Sequence, residues 1–139
     1  MTIQGTDLAE LMQQSAVDAR SFAKQEFGIV LDGTEDSLQF IDDVISKAST
    51  RIKSAAEEQA IFTISTIAGA YVGEIFRHKH GGEWLYDTSN AEAPAVFLKF
   101  NELTFAFMGI AYQRLMHDPQ VSLKLYYQEA CVQAAKHSY

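Results

Sequence analysis

The segment IAGAYVGEIFRHKHGGEWLYD, residues 67–87, changes period in its middle. Up to His80 the apolar side chains recur every three or four positions, as on one face of a helix. After Gly81-Gly82, Trp84 and Tyr86 alternate with Leu85, as on a strand. Arg77, His78, Lys79 and His80 fill the last turn of that helix, where cations meet the negative end of the helix dipole. Gly81 then suits the C′ position, which takes positive φ. The stretch reads as the end of a long helix, a tight turn and the start of a hairpin.

Upstream, Ser54-x-x-Glu57 has the pattern of a capping box and starts this helix. Its apolar face holds Ile61, Ile64, Ala68, Tyr71, Val72, Ile75 and Phe76, and Ala60 and Ile67 widen it. A helix apolar around so much of its circumference is central. Gly69 and Gly73 lie four apart within it. Each costs about 1 kcal/mol against alanine, which makes sense where another element must approach closely. Before this helix, residues 6–28 form a first amphipathic helix, opened by Asp7-x-x-Glu10 and closed by Gly28. Thr34 caps a second, running to about residue 50, with Leu38, Ile41, Val44, Ile45 and Ala48 as its stripe.

Downstream, EWLYD (83–87) and AVFLKF (95–100) flank the loop TSNAEAP and read as an antiparallel pair. Asn101 is placed to cap a fourth helix, with Leu103, Ala106, Phe107, Ile110, Ala111 and Leu115 inward. Asp118-Pro119 is placed to open a fifth, with Leu123, Tyr126, Tyr127, Ala130 and Ala134 on its stripe. The expected fold is a single α+β domain over residues 1–139, with about five α-helices packed on one antiparallel β-hairpin.

Composition narrows function by exclusion. The chain has 139 residues, 47% of them hydrophobic, which suffices for a real core. With 11 Lys plus Arg against 18 Asp plus Glu, the net charge of -7 disfavours a nucleic-acid partner. Most of that charge falls in residues 1–58, where Glu35-Asp36, Asp42-Asp43 and Glu57-Glu58 are paired. These pairs read as solvated helix faces or as an acidic docking surface for a basic protein. The N-terminal residues lack the pattern of a signal peptide. The longest uncharged apolar run, residues 60–73, falls short of the roughly 18 a membrane helix needs. A cytoplasmic location without membrane contact is the expectation.

No phosphate-binding loop, nucleophile elbow or paired metalloprotease histidines occur, and no cofactor is expected. Cys131 lies alone, too far in helical phase from His137 to pair with it. Glu74 and His78, at i and i+4, form a weak metal candidate, with His80, His117 or a carboxylate from elsewhere as a third ligand. The helix-dipole reading of the same residues is stronger. Among the aromatics, Trp84, Tyr86, Tyr112, Tyr126, Tyr127 and Tyr139 are the ones placed for partial exposure. Trp84, Tyr86, Tyr126 and Tyr127 would give a recognition surface on the hairpin and last helix, alongside Asp42 and Asp43.

The combination of small-Gly-x-Tyr-x-Gly-Glu (68–74), Gly-Gly-x-Trp (81–84), and AYQRLMHDPQVSLKLYY (111–127) resembles a widespread bacterial family of unknown function. The resemblance implies a small α+β domain without established catalytic residues. By analogy of size, charge and architecture, small acidic bacterial proteins of this kind include immunity proteins that neutralise toxins. The leading expectation is a non-enzymatic protein-binding domain, with an immunity role as its sharpest form. The alternatives are a small metal-dependent enzyme or ligand-binding domain centred on the helix-to-hairpin junction, and a homo-oligomeric module.

Overall fold

The computed structural model describes residues 5–54, 56–89 and 95–136. The ten-residue run around Gly69 and Gly73, residues 67–76, organises the rest. Helix α3 spans Glu58–His80, and Ile67 through Phe76 are buried without interruption. By length and mean hydropathy (1.2) this helix would pass for a membrane span, but 67% of its apolar window is buried inside the fold. It is the core helix around which the others pack.

Helix α1 (Gly5–Phe27) lies against α3 through Leu8, Met12, Ala19 and Ala23. It ends as expected: Gly28 takes φ +68° and donates its N–H to the Lys24 carbonyl. Thr34 accepts from the Ser37 N–H and heads a 3₁₀ turn, Glu35–Phe40, which leads into α2, Ile41–Arg51. The Ser54–Glu57 motif forms a turn just ahead of α3 instead of capping it, since the helix starts at Glu58 with Glu57 as an N-cap that makes no side-chain cap bond. The Glu57 carboxylate accepts from the N–H groups of Lys53 (2.6 Å) and Ser54 (3.2 Å), and Ser54 Oγ accepts from Ala56. Gly81 closes α3 with φ +96° and ψ -160°, a region open essentially to glycine alone, and donates its N–H to Arg77.

Strands β1 (Glu83–Asp87) and β2 (Ala95–Phe100) pair antiparallel, with Trp84 opposite Leu98 and Tyr86 opposite Val96. The expected hairpin is extended by a third strand. Leu103–Phe105 forms β3, paired antiparallel with Leu98, Lys99 and Phe100. Asn101, expected to cap a helix, instead takes φ +53° in a two-residue turn. Helix α4 therefore starts later, at Phe107, and runs to Met116. The fourth-helix reading failed at its entry because Leu103-Thr104-Phe105 fits a pleat as well as a helix. Pairing with β2 decides between them.

Helix α5 spans Leu123–Lys136, so it also starts later than Asp118-Pro119 suggested. Asp118 turns the chain locally, accepting from the Gln120 N–H at 2.9 Å. The cap of α5 comes from elsewhere: Ser122 Oγ accepts from Leu125, and Asp42 of α2 accepts from Leu123 (2.8 Å), Lys124 (3.4 Å) and Ser122 Oγ (2.7 Å).

Candidate functional site

The glycines of α3 make two notches. A Cβ at Gly69 would lie 2.5 Å from Met108 Cα and 2.6 Å from Met108 N, so the α4 backbone sits directly on it. At Gly73 the second notch holds the Trp84 ring, with Cζ2 2.6 Å from where a Cβ would be. Trp84 is thereby only 7% exposed, and its indole N–H donates to Glu74 Oε2 at 2.9 Å. Arg77 takes the same carboxylate with two bonds, at 2.8 and 3.2 Å. Burying a carboxylate requires such partners.

Next to it, Tyr71 receives the Gly33 N–H (2.9 Å), and its hydroxyl lies 2.5 Å from that of Ser37. The motif Gly69, Tyr71, Gly73, Glu74 together with Trp84 is one lock between α3, α4, β1 and the α1–α2 connection. The Glu74 carboxylate is thus occupied by protein donors. His78 Nε2 stands 3.9 Å from it on a largely exposed side chain. His80 turns away, between Phe76 and Phe100, and its buried Nε2 has no hydrogen-bond partner. Burial pushes its pKa down, Lys79 adds to that, and Glu35 opposes it. Among the described residues no three His, Cys, Asp or Glu side chains gather as metal ligands.

A polar cleft of about 540 Å³ lies between the 3₁₀ turn and α5. There Glu35 Oε2 accepts from Tyr127 Oη (2.5 Å) and Lys79 Nζ (2.8 Å). The Lys79 and Tyr127 hydrogen bonds, in that order, hold the Glu35 carboxyl below its ordinary value; Glu35 raises Lys79 in turn. Burial, and then Glu35, pushes the Tyr127 phenol up. Burial pushes the neighbouring Cys131 up as well, which keeps it a thiol. The cleft therefore holds a satisfied ion pair and no activated nucleophile.

The expected recognition residues divide accordingly. Trp84 and Tyr127 are core, against the expectation of partial exposure. Tyr126 is half-buried, and its hydroxyl accepts from Ala106 N–H. Asp42 caps α5, while Asp43 beside it is exposed. Tyr86 keeps an exposed face, and Tyr139 lies outside the described residues.

Tyr86 belongs to a feature the sequence did not reveal. A groove of about 1180 Å³ opens between the first half of α1, the start of α3, the outer end of β1–β2, and α4. Its rim carries large apolar side chains: Leu11 (51% exposed), Phe62 (68%), Tyr86 (37%) and Tyr112 (42%). Met12, Ile61, Ile67 and Met108 also line it, as does Ser65, whose buried Oγ has no partner. The charged residues in its lining are Asp18 and Glu58; no Lys, Arg or His contributes among the described residues. Periodicity counts Leu11 as core and leaves Phe62 off the α3 stripe, so it does not bring the two together. Only the arrangement of the elements does.

No protein-family model matches the chain, and no curated protein does, which accords with an uncharacterised family. Among solved structures it is similar to a crystal structure of a protein from Bacteroides thetaiotaomicron VPI-5482. The TM-score is 0.64 at 21% identity over 88% of this chain, and the match spans 43% of that protein's length. At that identity the likeness concerns the fold alone.

Proposed function

We propose that this chain is a non-enzymatic protein-binding domain whose interaction surface is the apolar groove between α1, α3, α4 and the hairpin. One observation carries the reading: Leu11, Phe62, Tyr86 and Tyr112 stand exposed together on a single concave surface. Contiguous exposed apolar surface of this kind marks interaction sites, and aromatics dominate their energetics. The net charge of -7 supports a basic partner. The resemblance of the 68–84 motif to an uncharacterised bacterial family is compatible with the same reading, since that resemblance brings no established catalytic residues. In its sharpest form the domain is a cytoplasmic immunity-type protein that neutralises a basic toxin. The metal-dependent or ligand-binding alternative at the α3–β1 junction has less support, because Trp84 and Arg77 already occupy Glu74.

The test compares wild type with Phe62→Asp as bait in native-host extract. Phe62 is 68% exposed, so this change leaves the fold intact. The reading expects a protein retained by wild type in a salt-sensitive manner and lost with the variant. Equal retention by both baits, or none by either, refutes it.

A further inference from the structure

We infer that the groove takes an extended segment of a partner protein that carries lysine or arginine among alternating apolar side chains, and that this segment adds to the free side of β2. The inference rests on the groove being the protein-binding surface. Its first support is the sheet register. Strand β3 pairs only with Leu98, Lys99 and Phe100, so among the described residues no strand pairs with Ala95–Phe97 on the β3 side of β2. Those same three residues line the groove together with Ala106, Met108 and Tyr112, and α4 packs beside β2. An uncovered strand edge offers main-chain N–H and C=O groups at ladder spacing. Beyond their first turns the helical walls offer no such groups, because theirs are bonded within the helices. A chain about 4.8 Å from β2 beside Ala95 and Val96, beyond Ala106, would extend the line of β3 and send alternate side chains into the groove.

Charge sets the second half of the inference. The lining contains Asp18 and Glu58 and, among the described residues, no cation. A basic segment is complementary to this rim. A fatty acid or an anionic membrane surface would bring negative charge to it. A second copy of this chain, paired by twofold symmetry, would bring the same acidic rim and a net -7 to its own.

The experiment selects a displayed library of random 12-residue peptides against the full chain, with Phe62→Asp as the counter-selecting bait. Enriched sequences are expected to be net positive with apolar residues at every second position. A synthetic peptide from the selection should bind wild type at least tenfold more tightly than the variant. Raising the salt should weaken it, and methylating its backbone nitrogens at alternate positions should abolish binding. Enriched peptides with apolar spacing of three and four, or insensitivity to N-methylation, would overturn the strand geometry. Acidic or neutral consensus sequences would overturn the charge assignment. In either of those cases groove-dependent binding persists, so the functional reading survives and only this inference falls. If no peptide discriminates Phe62→Asp from wild type, this inference falls, and loss of both the peptide and the extract result removes the functional reading too. A wild-type dimer at micromolar concentration that Phe62→Asp dissociates would assign the groove to self-association and overturn the proposal.

Discussion

Gly69→Ala tests the packing that holds α4 on α3. In an ordinary helix the change is favourable by about 1 kcal/mol, because glycine has the greater backbone freedom to lose. Here the new Cβ would sit 2.5 Å from Met108 Cα and 2.6 Å from Met108 N. That is about 1 Å inside the ~3.5–4.0 Å of optimal contact. The obstacle is main chain, so no rotamer change clears it, and α4 must move as a body in a close-packed interior. Overpacking of this type costs about 1–3 kcal/mol, occasionally more. Taking the upper part of that range and subtracting the helix-propensity gain leaves a loss of about 2 kcal/mol.

For a chain of this size, that loss lowers the melting temperature by roughly 8 °C. Gly109→Ala is the internal control. It also lies in a helix, but its Cβ would meet only Ala106 Cβ at an ordinary 3.6 Å, so stability should rise by up to ~1 kcal/mol. Urea unfolding followed by the fluorescence of the single tryptophan, Trp84, measures both. The reasoning fails if Gly69→Ala is as stable as wild type or more so.

Three further predictions concern single sites. Gly81→Val places a β-branched residue at φ +96° and ψ -160°, and should lower unfolding free energy by about 1–3 kcal/mol, whereas His78→Gln on the exposed face should change it little. Asp42→Ala removes the side-chain cap of α5 and should cost about 1–2 kcal/mol, with faster amide exchange in the first turn of that helix. Asp43→Ala, one residue on and exposed, should leave both unchanged. His80, whose folded pKa is lowered by burial, gives a pH dependence of stability. As pH falls below the ordinary histidine value of about 6.5, the unfolded chain takes up a proton that the folded chain resists, so stability declines. The carboxyls of Asp32, Glu35 and Asp87, lowered in the fold, lose their contribution only at more acid pH, below about 4.5. Urea midpoints at about pH 7.5 and about pH 5.5 should therefore differ more for wild type than for His80→Gln.

Much of the architecture was legible because it is written locally. Thr34, the Ser54–Glu57 box, Gly28 and Gly81 each act within one turn of their own position, and their chemistry is the same before and after folding. The all-round apolar character of α3 announced a central helix, and the spacing of Gly69 and Gly73 announced a close approach. What approaches was not legible. That Met108 fills one notch and Trp84 the other depends on strands and helices meeting across the fold.

Long-range partners redirected several residues. Asp42, read as a surface acid, is 81 positions from the Leu123 N–H it accepts. Tyr127 and Trp84, read as surface aromatics, found carboxylate acceptors: Tyr127 reaches the exposed Glu35 and Trp84 the buried Glu74. The third strand was missed because three residues with mixed propensity yield to whatever pairs with them. The sequence by itself determined the elements, their caps and the acidity of the chain, all of which follow from near neighbours and composition. Tertiary structure alone decided which apolar side chains stayed uncovered. Leu11 and Phe62 line a groove bounded by α1, α3, α4 and the hairpin, and no periodicity can report a gap that exists only between elements.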